Sequence, residues 1–255
     1  MIIRKPDPKR ITIVESRPTL KVERTNFIQG FIGVNKTGKS STARDIAEGW
    51  RSTRIPNVNS DVTYQVVGYD PQNIFGKQID ETGKVIREGL IDLYLELDDP
   101  DWALRCCEMR NCLVILDEIK DLLESTSGRS PKGLLRFFSQ CFFNNVDIMW
   151  MVHNPILAPN AATSYTTHYY IFLTFATEGS FKKKIPNYSL CTVACNEVNN
   201  YVAKYGTRGK HRLDPDYNGQ GFPHVIVDTE KQTLQAINMD KEISSEIRDF
   251  IPLNK

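Results

Sequence analysis

Short apolar stretches alternate with amphipathic and polar ones along this chain, at the spacing typical of an α/β fold. Phe27–Ile32 is a run of mostly apolar residues and is predicted to form a buried strand. Ala43, Ile46, Ala47 and Trp50 follow at i, i+3, i+4 and i+7, which places them on one face of a helix. A strand that leads directly into a helix is therefore predicted here.

The same kind of pattern predicts the remaining elements. Four further stretches are predicted as core strands: Thr63–Tyr69, Cys112–Leu116, Val146–Val152 and Tyr169–Ala176. Helices are predicted at Asp101–Arg110, from Ser130-Pro131 onward with Ser130 as N-cap, at Tyr188–Tyr205 before Gly206, and around Ile243–Phe250. Hairpins are predicted at Ile11–Glu23, at Lys77–Arg87, and at Val225–Asp228 with Thr233–Asn238.

Composition narrows the class of protein. The 255 residues are 40% hydrophobic and 25% charged, which is enough for one large globular core. Because the formal net charge is only +1, any contact with nucleic acid must come from local basic patches. The apolar runs are far shorter than the roughly 20 residues that span a bilayer. The N-terminus has no apolar signal segment, so we expect an intracellular protein.

The stretch between the first strand and its helix carries the strongest motif. It reads GVNKTGKS, a complete G-x-x-x-x-G-K-[ST] phosphate loop (Walker A) that starts at Gly33. Gly33 and Gly38 let the backbone N–H groups approach phosphate oxygens, Lys39 can reach the β- and γ-phosphates, and the Ser40 hydroxyl can bind Mg²⁺. The predicted nucleotide-binding residues are Gly33, Val34, Asn35, Lys36, Thr37, Gly38, Lys39, Ser40 and Ser41.

A pair of acidic residues follows the most apolar strand. Cys112–Leu116 ends in Asp117 and Glu118, and a parallel strand at the centre of a sheet is buried on both faces. Downstream of a phosphate loop, Asp117 is predicted to support Mg²⁺ and Glu118 to activate the attacking water as general base. A kinase needs a base aimed at a substrate hydroxyl, whereas this pair suits hydrolysis that drives motion.

Polar residues also end two other predicted strands. His153 follows Val146–Val152 and is predicted to sense the γ-phosphate, with Asn154 as the rival and simple capping of the strand as the alternative. Asp70 ends Thr63–Tyr69, and it is predicted either to lie at the ligand-binding edge of the sheet or to cap the turn before Pro71.

These motifs in this order resemble the HerA–FtsK branch of the additional-strand P-loop ATPases. Within that branch the chain is most similar to genome-packaging ATPases of tailless, membrane-containing icosahedral viruses and phages. The resemblance covers roughly Phe27 to Asn238 and depends on GVNKTGKS, YDP at 69–71, VILDE at 114–118 and VHNP at 152–155. It implies a three-layer, RecA-like P-loop NTPase with a mostly parallel sheet and hairpin additions at both termini. We expect one domain: a hairpin extension at 1–25, a nucleotide-binding core at 26–177, and helix and hairpin elements at 178–255.

The resemblance also implies a function. It implies a homo-oligomeric ring, pentameric or hexameric, that hydrolyses ATP with Mg²⁺ between subunits and moves DNA. His153 stands where the family usually carries Gln. FtsK-type members place an arginine that acts on the neighbouring subunit shortly before the sensor strand, where this chain has Phe142, Phe143 and Asn144. Arg129 and Arg136 are the nearest candidates for that role.

Two basic clusters are predicted to contact the phosphates of DNA without reading its sequence. They are Lys182, Lys183 and Lys184, in a predicted loop, and Arg208, Lys210 and Arg212. The implied motor would work in the host cytoplasm, docked on a vertex protein of the procapsid. Two other functions remain open: a small-molecule P-loop kinase, and a membrane-docked phage assembly or secretion ATPase.

Overall fold

A computed structural model describes residues 26–53, 64–96, 101–124, 133–186, 188–207 and 221–239. The predicted hairpin at Ile11–Glu23 and the predicted helix around Ile243–Phe250 lie outside these residues. So do the predicted N-cap Ser130 and the site candidates Arg129, Arg208, Lys210 and Arg212.

The described strands form a mostly parallel sheet. In chain order they are β1 (Ile28–Ile32), β2 (Gln65–Tyr69), β3 (Gln78–Ile79), β4 (Val85–Arg87), β5 (Leu93–Tyr94), β6 (Cys112–Leu116), β7 (Val146–Val152), β8 (His168–Ile171), β9 (His224–Asp228) and β10 (Thr233–Ile237). Within the described residues, eight of them pair in the order β10-β9-β8-β1-β7-β6-β2-β5. Among the described strands of this sheet, β9 runs antiparallel to both of its neighbours, β8 and β10, and the other pairs are parallel; β3 and β4 form a separate hairpin.

Helices cover both faces of this sheet. They are α1 (Lys39–Thr53), α2 (Trp102–Cys106), α3 (Ile119–Glu124), α4 (Leu134–Asn144), α5 (Asn160–Tyr165), α6 (Glu178–Lys182) and α7 (Tyr188–Tyr205). Alternate residues of each strand enter two separate apolar cores, because successive strand side chains point to opposite faces. Leu113 and Ile115 belong to the core that also contains Ala43 of α1. Val114 joins the core that contains residues of α4 and α7. The three-layer α/β architecture expected from the sequence is therefore confirmed.

Three local predictions need correction. The strand predicted at Tyr169–Ala176 ends at Ile171, because β1, its parallel partner, ends at Ile32, and the Asn199 side chain then bonds Thr174 instead. The segment at 182–184 was predicted as a loop, but α6 ends at Lys182 and the chain turns only after it. Helix α4 begins at Leu134, with Gly133 in a left-handed conformation (φ 84°) as its N-cap, which is later than predicted.

Candidate functional site

The phosphate loop joins β1 to α1, as the sequence pattern predicts. Its backbone is tied to β7 and to the segment that follows β8: the Gly33 N–H donates to the Val152 carbonyl (3.2 Å), and the Val34 N–H donates to the Leu173 carbonyl (2.8 Å). The Thr37 hydroxyl closes the loop by donating to the Val34 carbonyl (2.7 Å). These hydrogen bonds hold the loop at the carboxyl edge of the sheet, beside the N-terminus of α1, and a helix N-terminus favours an anion.

The predicted nucleotide-binding residues are distributed along this loop and the first turn of α1. Asn35 and Lys36 are exposed at its outer part, and Ser41 is exposed on α1. Gly38 needs to be glycine, because its φ is +94° and a Cβ there would collide with Phe222. Gly33 is constrained by space alone, since a Cβ there would lie 2.6 Å from the Cβ of Phe172.

A chain of hydrogen bonds joins the phosphate-loop lysine to the predicted general base. The Lys39 ammonium donates to the Val34 carbonyl (3.2 Å) and lies 3.1 Å from Nδ1 of His153. The other ring nitrogen of His153, Nε2, lies 2.9 Å from Oε1 of Glu118. An ammonium can only donate, so Nδ1 accepts and Nε2–H donates to the carboxylate. His153 therefore bridges Lys39 and Glu118.

Glu118 occupies an unusual backbone position. Its φ is +53°, in the left-handed region that non-glycine residues seldom adopt. Directly after β6, this conformation turns the chain into α3 while its carboxylate meets His153. Left-handed backbone at a non-glycine residue is concentrated at functional sites. Asn154, the rival of His153, instead accepts the N–H of Ile156 (3.0 Å) and caps the short turn that follows β7.

The residues predicted to hold Mg²⁺ fit a cation. Asp117 is buried at the end of β6, and its Oδ1 accepts a hydrogen bond from the Ser40 hydroxyl (3.3 Å). Its Oδ2 is buried and has no hydrogen-bond partner. Burial, followed by repulsion from the carboxylates of Glu118 and Asp70, raises the pKa of Asp117 to about 7. A buried carboxylate with an unused oxygen next to a hydroxyl is a donor set that suits Mg²⁺.

Lys39 is affected by the same burial in the opposite direction. Desolvation lowers the pKa of its ammonium, and the nearby carboxylates of Glu118 and Asp117 oppose that shift. Lys39 therefore sits in a partly dehydrated site where phosphate oxygens would stabilise its charge.

Of the two roles predicted for Asp70, the structure shows the capping of the turn that follows β2. Its Oδ1 accepts the N–H of Ile74 (2.9 Å), and its Oδ2 accepts the N–H of Phe75 (2.7 Å). Both carboxylate oxygens therefore close the turn after β2. The side chain still affects the site electrostatically, because its charge contributes to the raised pKa of Asp117.

The remaining predicted site residues lie apart from this cluster. Arg136 is exposed in the first turn of α4, where its Nε donates to Gln140 (2.9 Å). Lys182 and Lys183 are exposed at the end of α6, whereas the Lys184 ammonium donates to Asn160 (3.1 Å). None of the described contacts joins Arg136 or these lysines to the phosphate loop.

Sequence reasoning missed the aromatic residues that pack against the phosphate loop. Phe172 follows β8 and Phe222 precedes β9, and they abut Gly33 and Gly38 respectively. His224, on β9, stacks on Phe172 with ring centroids 4.7 Å apart. No motif or spacing marks these positions, because they lie 139 and 184 residues from the glycines that they contact.

Other kinds of site were considered within the described part of the chain. All six cysteines fall there and are buried with free thiols. Among the described residues, no group of three or more His, Cys, Asp or Glu is placed to hold a metal ion. No described helix combines the length and the apolar character needed to cross a membrane.

Fold and site together define a P-loop NTPase fold. The chain shares this fold with B204, the DNA-packaging ATPase from Sulfolobus turreted icosahedral virus, at a TM-score of 0.51 and 11% identity over 82% of this chain and 96% of that one. The genome packaging NTPase B204 from Sulfolobus turreted icosahedral virus 2, in complex with ATP-gammaS, matches at a TM-score of 0.50 and 9% identity, over 82% of this chain and 96% of that one. The N-terminal domain of zonular occludens toxin from Neisseria meningitidis matches at a TM-score of 0.46 and 10% identity, over 87% of this chain and 98% of that one.

Comparison by sequence identifies no relative of this chain. No family model matches the chain, and no curated protein matches it. The similarity to genome-packaging ATPases that the motifs predicted is therefore confirmed at the level of the fold.

Proposed function

We propose that the chain is an ATPase that uses Mg²⁺ and ATP to move DNA into a preformed viral capsid. The observation that carries the proposal is the hydrogen-bonded path from Lys39 through His153 to Glu118, set beside the Ser40–Asp117 pair. The fold shared with packaging NTPases supports the same reading.

Each residue of the cluster has a defined task in this proposal. The loop N–H groups and Lys39 hold the β- and γ-phosphates. Ser40 and Asp117 would hold Mg²⁺, which supplies charge neutralisation to the phosphates when bound. Glu118 accepts the proton of the attacking water, and His153 orients its carboxylate.

Arg136 serves the neighbouring subunit in this proposal. Strands β6 and β7 are parallel, and the usual right-handed crossover would bring the N-terminus of α4 to the sheet edge that carries Glu118. Arg136 is exposed in the first turn of α4, which supports a contact with the site of a second copy. We therefore propose a homo-oligomeric ring, docked through a capsid vertex protein in the host cytoplasm. Arg129 remains a second candidate for the same role.

DNA contact is proposed for the lysines that follow β8. Lys182 and Lys183 are exposed at the end of α6, and Arg208, Lys210 and Arg212 are proposed to join them. Contacts to phosphates alone suit a motor that moves over any sequence.

The test is ATP turnover with and without linear double-stranded DNA at two salt concentrations. We expect DNA to stimulate turnover and the stimulation to fade as salt rises. The Lys182→Glu/Lys183→Glu double variant should lose most of that stimulation. A matched double variant, Lys77→Glu/Lys84→Glu, makes the same charge change in and beside the β3–β4 hairpin and should keep it.

Two outcomes would change the proposal. Turnover that is indifferent to DNA would favour the small-molecule kinase or the docked assembly ATPase over a DNA motor. Glu118→Gln should keep ATP binding while hydrolysis falls at least about a hundredfold, because a positioned base is lost. If hydrolysis survives in that variant, the base lies elsewhere.

A further inference from the structure

An aromatic side chain forms one wall of the phosphate loop. A Cβ built on Gly38 would lie 2.1 Å from Cδ2 and 2.7 Å from Cβ of Phe222. The Phe222 ring therefore lies directly against the loop at its junction with α1. The side chain is only half-buried, so part of it faces solvent beside the loop.

The backbone that carries this ring is fixed. The Phe222 carbonyl accepts hydrogen bonds from Nδ1 of His224 (2.8 Å) and from the Asn238 amide (3.4 Å). His224 is buried, and burial lowers its pKa to about 4, so the ring is neutral and Nδ1–H donates. His224 in turn stacks on Phe172, which abuts Gly33. The aromatic wall is thus connected to both glycines of the loop.

The direction of a bound triphosphate follows from the order of the strands. Its γ-phosphate end must face Glu118 and His153, at the tips of β6 and β7. On the other side of β1 lie β8 and then β9. The nucleoside end is opposite the γ-phosphate, so it points toward β8 and β9. Phe222 lies there, two residues before the start of β9.

We propose that Phe222 is the surface on which the base of the bound nucleotide stacks. This inference rests on the proposed nucleotide-binding function. Every nucleobase presents a π face to an aromatic ring, and stacking strength increases with the size of the base. Phe222 therefore favours purine over pyrimidine nucleotides.

The test separates binding of the base from binding of the phosphates. Affinities of the full-length chain are measured by calorimetry for a non-hydrolysable ATP analogue and for inorganic tripolyphosphate, both with Mg²⁺. Phe222→Leu keeps an apolar side chain of similar volume but cannot stack. It should weaken binding of the ATP analogue roughly tenfold or more and leave that of tripolyphosphate unchanged. Phe222→Trp keeps an aromatic ring and should therefore bind the analogue about as tightly as wild type does.

Controls distinguish this inference from a purely structural role. Phe143→Leu makes the same change at an exposed position on α4 and should alter neither affinity. If Phe222→Leu weakens both ligands equally, or neither, Phe222 only shapes the loop and the inference is overturned. If the wild-type chain binds neither ligand, the proposed function itself fails, and the inference fails with it.

Discussion

Burial of the Asp117 carboxyl makes the stability of this fold depend on pH. Asp117 is 1% exposed, and burial is the largest cause that raises its pKa from 3.8 to about 7. Between those values the folded chain holds a proton that the unfolded chain has lost. Stability must therefore fall as pH rises through this window and level off above about pH 7. A shift of about three units corresponds to about 4 kcal/mol in total.

Replacing Asp117 with Asn removes this titration while keeping the shape of the side chain. The free energy of unfolding of Asp117→Asn should therefore rise relative to wild type by about 2–3 kcal/mol between pH 5 and pH 7. Urea unfolding of both proteins at pH 5, 6, 7 and 8 measures the difference. Groups that do not interact with Asp117 titrate equally in both proteins, so their contributions cancel.

The control is Glu81→Gln, which removes an exposed carboxylate in the β3–β4 hairpin. Its difference from wild type should not change with pH. A difference between Asp117→Asn and wild type that is constant from pH 5 to 8 would refute the reasoning. Asp117 would then ionise at its ordinary pKa in the folded protein, and burial would not dominate its environment.

Three further predictions concern the site and its support. The Gln side chain of His153→Gln can still accept a hydrogen bond from Lys39 and donate one to Glu118, so the rate of steady-state ATP hydrolysis should stay within about tenfold of wild type. In His153→Ala the rate should fall about a hundredfold. Equal losses in the two variants would contradict the bridging role. Gly30→Ala should cost at least about 2 kcal/mol in urea unfolding, because its Cβ would lie 2.3 Å from the buried ring of Trp150; unchanged stability would show that the ring can move. Arg44→Ala should lower the free energy of unfolding by about 3–5 kcal/mol in the same assay, since the buried guanidinium donates to the carbonyls of Ile74, Gly76 and Glu88. A loss below about 1 kcal/mol would mean that water takes the place of the guanidinium at these carbonyls.

Elements with a clear local pattern of apolar and polar residues were predicted well from the sequence. The continuous apolar run at Cys112–Leu116 forms a fully buried strand, because a central parallel strand must be apolar on both faces. Helix α7 spans Tyr188–Tyr205 as predicted, and Gly206 follows it with φ 83°. Here the side-chain pattern and the local backbone preference agree, so no tertiary contact is needed to choose between alternatives.

Short elements were missed for the opposite reason. Strand β5 has two residues and is defined by its hydrogen bonds to β2, which no local pattern encodes. Helices α3 and α5 have six residues each, too few to show a helical period. The strand predicted at Tyr169–Ala176 was too long, because a buried apolar run does not reveal where its partner strand ends.

The sequence by itself determined the phosphate loop, the acidic pair after β6 and the α/β class, because each depends on residue types at short, fixed spacing. Only the tertiary structure decided which tip residue bridges Lys39 to Glu118, that Asp70 closes a turn, and that Phe222 lies against Gly38. The bridge through His153 and the contact of Phe222 with Gly38 join residues far apart in the chain, and the bridge forms because parallel strands bring their carboxyl ends to one edge of the sheet. The turn at Asp70 is local, but the spacing of the residues fits both of its predicted roles, and only the hydrogen bonds select one.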